Sequence, residues 1–153
     1  MKPEEKGKIL VSACLVGFEC RYDGRNNIND NIVELVKQGR AIPVCPEQLG
    51  GLATPRSPAE IKTEDGMTKV YDINGVDVTD MFSAGAVKTL ELAELYGIKA
   101  AILKSRSPSC GCGKVYSGHF DGSLTDGDGI TAKLLKDNGI DVICDDELNK
   151  GPV

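Results

Sequence analysis

Six cysteines carry most of the chemistry available to this sequence. Cys14 ends the apolar run KILVSAC (8–14) and Cys45 ends AIPVC (41–45). Cys110 follows a third run, IKAAILK (98–104), after a short loop in the stretch KSRSPSCGCG (104–113). Glu47 stands two residues beyond Cys45, and Ser107 and Ser109 lead into Cys110. Thiolates are soft ligands that suit iron–sulfur clusters and zinc, and paired thiols also run redox exchange. A carboxylate beside such a site can move a proton. His119 is the single histidine, which excludes a zinc hydrolase with several histidine ligands. The paired C-x-x-C knuckles of a structural zinc finger are absent.

Each residue also has a plainer reading. A free cysteine is commonly a small buried hydrophobe, and Cys20, Cys112 and Cys144 suit that description best. Glu47 equally suits a helix cap or a surface ion pair, and Arg56 and Glu60 can simply pair with each other. In CRYDGRN, Asp23-Gly24 signals a turn, so Arg21 and Asp23 also read as turn surface. Ser107 and Ser109 suit a helix cap as well as a ligand contact. Lys104, at the end of an apolar run, is costly to bury without an anion or carboxylate partner. The pair Gly50-Gly51 permits a tight turn or a close backbone approach, and the X-Pro steps flanking Arg56 favour an extended path. His119 reads as a loop residue on a hairpin.

The elements that must position these residues alternate. Apolar runs at 8–14, 41–45, 98–104 and 140–144 are separated by helical patterns at 29–39, 79–97 and 126–139. In the longest helix Phe82, Ala86, Leu90 and Ala93 share one face, Thr79 is a candidate cap and Gly97 a candidate stop. Asp128 and Gly139 are the corresponding signals for 126–139. Two insertions carry hairpin turns, Asp65-Gly66 and Asn74-Gly75 within 60–78, and Asp121-Gly122 within 114–127. The expected fold is a single α/β domain over 1–153. It is a three-layer, Rossmann-like or flavodoxin-like parallel sheet of about four strands with small β-hairpin insertions. Ligands in such sheets bind beyond the carboxyl ends of the strands, where strand order reverses. That rule brings Cys14, Cys45 and Cys110 together although they are remote in sequence. In strand order 2-1-3-4, Cys144 lies on an edge strand about 10 Å from the first, at ~4.8 Å per spacing. That is too far for an easy fourth ligand.

The bulk composition is that of a globular protein, 41% hydrophobic and 27% charged. A net charge of −5 argues against broad attraction to a nucleic-acid backbone, and 5% aromatic content without Trp weakens a base-stacking platform. There is no run long enough to span a membrane. The opening MKPEEKGKIL carries acids and no apolar stretch, unlike a signal peptide. The expectation is a cytoplasmic protein with reduced thiols.

The motifs SACLVGFECRYDG, CPEQLGGLATPRSPAEI, GVDVTDMFSAGA, AILKSRSPSCG and GITAKLLKDNGI occur in this order. Over roughly Ile9 to Ile143 the chain resembles the 2-thiouracil desulfurase family. The resemblance implies a 4Fe–4S cluster held by three cysteines, with one iron left open to the sulfur of a thiolated nucleobase. Water replaces that sulfur at the ring carbon, giving uracil and sulfide without net redox change. Carried over motif by motif, the ligands are Cys14, Cys45 and Cys110. Glu47 becomes the proton-transfer residue and Ser107 positions substrate or aids proton transfer. Ser109, Lys104, Ser12, Arg21, Asp23 and Arg56 follow as candidates for substrate contact. Cys112 departs from the pattern. If it bound the fourth iron, the substrate position would be blocked.

Two other classes of function compete with the enzyme reading. A carrier of persulfide, cluster or zinc would use the same thiols at an exposed site. A thiol sensor would oxidise paired cysteines such as Cys110 and Cys112 and would have no need of Glu47.

Overall fold

The computed structural model describes residues 7–149. The opening MKPEEK, whose composition was read above, lies outside them. In chain order the elements are β1 (Ile9–Ser12), α1 (Asp30–Lys37), β2 (Ala41–Val44), α2 (Pro46–Leu49), β3 (Ala59–Glu64) and β4 (Met67–Asp72). Then come α3 (Thr79–Tyr96), β5 (Ala100–Leu103), β6 (Lys114–Tyr116), β7 (Leu124–Asp126), α4 (Ile130–Asp137) and β8 (Asp141–Cys144). Short 3-10 turns follow β1 at Ala13–Val16 and β8 at Asp145–Asn149.

The central sheet has strand order β2-β1-β5-β8 and is parallel throughout. Successive β1 side chains face opposite ways, as a strand requires. Leu10 joins Ala93, Ala132 and Leu135 in the core under α3 and α4. Val11 joins Ile32 and Ala41 in the core under α1. The expected three-layer arrangement and the expected strand order are both present. Cys144 is on the edge strand, as anticipated.

Local chemistry sets the helix ends. Asn29 caps α1, its Oδ1 accepting from the N–H groups of Asn31 and Ile32 at 3.0 and 3.3 Å. Gly97 ends α3 in the left-handed region at φ 66°. Two expected caps take other roles. Thr79 is the first residue of α3, and its hydroxyl accepts from the Val70 N–H at 2.9 Å. It therefore fastens the helix to β4. Asp128 leaves the cap position to Gly129 and accepts from the Gly113 N–H at 2.8 Å and the Lys136 ammonium at 3.0 Å.

Both expected hairpins form, β3 with β4 and β6 with β7. At the first turn Asp65 and Gly66 have positive φ of 50° and 75°, as a two-residue turn of this hand requires. Val70 and partly buried Ile61 pack with Val78 and Phe82, which seats this hairpin against α3. Glu60 does not pair with Arg56. It accepts from the Gly118 N–H at 2.8 Å and the Phe120 N–H at 3.2 Å, so it joins the two hairpins.

Candidate active site

Beyond the carboxyl ends of β1, β2 and β5 lies a cavity of about 400 Å³. Strand order reverses here, since β2 and β5 flank β1 on opposite sides. Cys14 enters from the 3-10 turn that continues β1, and Cys45 from the residue that joins β2 to α2. Cys110 enters from the loop after β5. All three are free thiols. Two close glycine contacts locate α2. A Cβ on Gly50 would meet the Met81 carbonyl oxygen at 2.0 Å, and one on Gly85 would meet that of Pro46 at 1.9 Å. Glycine at both positions lets α2 lie directly on α3, and this places Cys45 and Glu47.

The Cys110 loop is held by α4. The Ile130 N–H donates to Pro108 at 2.8 Å and the Thr131 N–H to Ser109 at 2.9 Å, both at carbonyl oxygens. These donors have no partner inside their own helix, so the loop completes the helix and the helix fixes the loop. Ser107 Oγ accepts from the Ser109 N–H at 3.1 Å and the Cys110 N–H at 3.0 Å. The turn thus carries its own internal fastening.

Glu47 is the centre of the polar network. Its Oε1 receives the Arg56 Nε–H at 3.0 Å, and its Oε2 receives the Ser109 hydroxyl at 2.7 Å. Ser109 and Ser107 hydroxyls lie 3.0 Å apart, which completes a chain from carboxylate to Ser107. The ion pair is largely enclosed, with side-chain exposures of 9% for Arg56 and 14% for Glu47. Of the two plainer readings of Glu47, the ion pair is present, but inside the cavity.

Lys104 has the carboxylate partner that its position demands, Asp145 at 3.7 Å. Its backbone N–H donates to the buried Ser12 hydroxyl at 2.8 Å, which ties β5 to β1 at the cavity edge. Arg21 lines the cavity, paired with Asp23 at 3.1 Å and donating to Asn27 at 2.9 Å. Asp23 does not line it and accepts from the Arg25 N–H at 3.0 Å, the turn role open to it from the outset. The other ten expected site residues line the cavity. His119 is exposed on the second hairpin insertion.

Cys20 is the residue that sequence reasoning missed. It is 4% exposed and lines the cavity beside Cys14 and Cys45, and its carbonyl accepts from the Cys45 thiol at 3.8 Å. Asn27 also reaches the site, its amide lying 3.5 Å from Cys14 Sγ. These contacts separate the thiols electrostatically. Cys45 is drawn down to about 7, first by the Cys20 thiol and also by the Gln48 N–H, against the opposing effect of burial. Cys14 is lowered as well, first by Cys20, with Asn27 and the Lys104 charge assisting. Cys20, beside both, is pushed far up, first by Cys14. Burial pushes Cys110 up to about 12.

The remaining two thiols are joined. Cys112 and Cys144 form a disulfide with Cα atoms 6.0 Å apart. This corrects the expectation of fully reduced thiols. It also corrects the pairing expected of a sensor, since Cys110 stays free and Cys112 bonds across to β8. Cys112 is thereby turned away from the role of a fourth ligand.

The donor set suits an iron–sulfur cluster. Four free thiols face one cavity, and two of them are biased toward the thiolate. Among the described residues, the group with ligand atoms within 4.8 Å of one another is Cys112, Cys144 and Glu147, whose two sulfurs are bonded to each other and so offer no thiolate. The cavity thiols as a set are spaced more widely.

Two known proteins resemble this chain over nearly its whole length. A curated relative, the uncharacterised protein YbbK of Bacillus subtilis (strain 168), is 48% identical over 147 residues, covering 92% of this chain and 97% of its own. A solved structure described as the 4Fe-4S-dependent thiouracil desulfidase TudS superposes with a TM-score of 0.87 at 44% identity, over 94% of each chain. Residues 9–147 match the family described as 2-thiouracil desulfurase, and to that family the chain belongs.

Proposed function

We propose that this protein hydrolyses the thiocarbonyl of a 2-thiouracil-like base, using a 4Fe–4S cluster held by Cys14, Cys45 and Cys110. The C–S bond breaks, a C–O bond forms from water, and sulfur leaves as sulfide with no net change of oxidation state. The bound cluster supplies a thiophilic, Lewis-acidic iron for the substrate sulfur.

The chain's own residues do the rest. Glu47 takes the proton of the attacking water, and Arg56 fixes its carboxylate so that a single orientation faces the cavity. The Ser109 hydroxyl occupies Oε2, and Ser107 extends the chain of hydroxyls through which a proton returns to the leaving sulfur or the ring. Lys104 adds positive charge near Cys14, and Ser12 holds the Lys104 backbone in place. Arg21 lines the wall and can meet ring oxygens.

A cavity of about 400 Å³ falls within the roughly 300–1,000 Å³ range of small-molecule sites, which favours a base or nucleoside. The charge of −5 offers no general attraction to RNA. Among the described residues no helix is long and apolar enough to cross a membrane, and we place the enzyme in the cytoplasm as one domain. The carrier alternative needs exposed thiols, whereas Cys14 and Cys110 are 8% and 4% exposed.

The observation that carries the proposal is the convergence of three free thiols and the Glu47–Arg56–Ser109–Ser107 network on one cavity. The test is iron, sulfide and zinc content, with the visible spectrum, after reconstitution without oxygen. A sulfide-release assay with 2-thiouracil follows. Equal iron and sulfide with turnover is expected, and alanine at Cys14, Cys45 and Cys110 should remove both colour and activity. Zinc binding with no cluster, or turnover without one, overturns the proposal.

A further inference from the structure

The carboxylate, hydroxyls and ammonium assigned above suit the edges of a base, where its oxygen, nitrogen and sulfur atoms lie. None of them suits its flat faces. The chain is poor in aromatic rings, with four Tyr, three Phe and no Trp. Two of these residues, Tyr22 and Tyr116, line the cavity. Resting on the desulfurase reading above, we propose that Tyr116 is a specificity-determining residue whose ring stacks on the pyrimidine, and that Glu60 is the positioning residue that sets it.

Of the two rings, Tyr116 has the open face. The Arg21 guanidinium lies 5.8 Å from the centroid of the Tyr22 ring, and Tyr22 is 41% exposed. Tyr116 is half-buried, and among the described residues no cation covers its ring. It ends β6, directly after the buried Val115. Alternation along the strand turns Tyr116 away from the side that buries Val115, and it borders the cavity. A three-residue strand paired only with β7, which is exposed along its length, cannot hold a ring in place by itself. Fastenings at both ends do so. At the base of the hairpin the Gly113 N–H donates to Asp128 at 2.8 Å. Just past Tyr116, Glu60 Oε1 accepts from the N–H groups of Gly118 and Phe120 at 2.8 and 3.2 Å. Glu60 is buried, and these donors offset the loss of water around its carboxylate. The turn is pressed onto β3, since a Cβ on Gly118 would meet the Ile61 carbonyl oxygen at 2.7 Å. Phe120 keeps a positive φ of 54°, a costly conformation for a residue with a side chain, and in it donates its N–H to Glu60. Glu60 also lines the cavity, so clamp and ring share one wall. A flat unsaturated ring gains from an aromatic face, whereas a saturated or acyclic thiocarbonyl compound does not. The wall thus favours thiolated pyrimidines over small thioamides.

The experiment uses protein reconstituted without oxygen: wild type, Tyr116→Phe, Tyr116→Leu, Glu60→Ala, and Glu60→Ala combined with Tyr116→Leu. Sulfide release from 2-thiouracil gives KM and kcat, and metal analysis gives iron content. Tyr116→Leu should raise KM roughly tenfold or more with a far smaller change in kcat and no loss of iron. Tyr116→Phe, which keeps the ring, should restore most of the affinity. Glu60→Ala should raise KM as Tyr116→Leu does, and the double variant should add little to either, because Glu60 acts through the ring. Inhibition of wild type reads the same contact without any substitution. Dihydrouracil keeps both carbonyls and both N–H groups of uracil but lacks its flat unsaturated face, so it should inhibit roughly tenfold or more weakly than uracil. A wild-type KM in Tyr116→Leu, a Tyr116→Phe as impaired as Tyr116→Leu, or equal inhibition by the two compounds overturns the stacking role and leaves the desulfurase reading intact. Additive effects in the double variant overturn the positioning role of Glu60. If the leucine variant does not fold, the inhibitor comparison on wild type decides. Wild type that releases no sulfide overturns the desulfurase reading, and this role with it.

Discussion

Glu47 has two partners that hold its two oxygens in different directions, Arg56 on one and Ser109 on the other. Glu47→Gln keeps the size and loses the base. Turnover should fall by roughly 100- to 10,000-fold while iron and sulfide content stay at the wild-type level, as a sulfide-release assay and metal analysis will read. Loss of iron in this variant would instead make Glu47 structural. The thiols make a second expectation. In cluster-free protein, Cys45 ionises near 7 and Cys110 near 12. Iodoacetamide labelling of Cys45 should therefore rise as pH passes through about 7, with Cys110 and Cys20 reacting well after it, as peptide mass mapping will show. The three strand-end cysteines were legible in the sequence because apolar runs lead to them and parallel sheets place such ends together. Cys20 was not. It lies in a loop, where periodicity says nothing about direction, and a solitary cysteine reads first as a small hydrophobe. The Glu47–Arg56 contact was also hidden, because Glu60 offered Arg56 a partner nearer in sequence.

At the scale of elements, the site depends on how closely α2 meets α3. Gly85→Ala would drive a methyl group into the Pro46 carbonyl, next to both Cys45 and Glu47. We expect a loss of roughly 1–3 kcal/mol in denaturant unfolding together with weaker cluster retention. An unchanged unfolding midpoint would show that α2 can step aside freely. The sequence marked Gly50-Gly51 as a site of close approach, but Gly85 sits inside a helical pattern that gives no sign of what crosses it. Thr79 and Asp128 have the residue types of helix caps and bind other elements instead, because tertiary partners offered better-placed groups. Both hairpin insertions were legible from their Asp-Gly and Asn-Gly turns, whose backbone needs those residues. Glu60, which joins them, could not be assigned without knowing that the two hairpins touch.

For the whole molecule, the sheet order followed from alternating strands and helices and a fixed crossover hand. The Cys112–Cys144 bond did not follow, since it links a loop of irregular path to an edge strand. It closes a segment of 32 residues. Under the chain-entropy account this stabilises the oxidised protein by roughly 3–4 kcal/mol. Cluster-free protein should therefore unfold at lower denaturant after dithiothreitol, and coincident midpoints would show that the bond adds no stability. The position of the cavity also bears on biosynthesis. Its cysteines follow β1, β2 and β5, and β1 gains its second neighbour only when β5 pairs with it. A chain still emerging from the ribosome and ending before β5 has Cys14 and Cys45 but not Cys110, and an incomplete sheet. The complete cavity is thus a product of the last third of translation. None of the three cavity walls can close around a ligand until β5 and the Cys110 loop have joined the sheet.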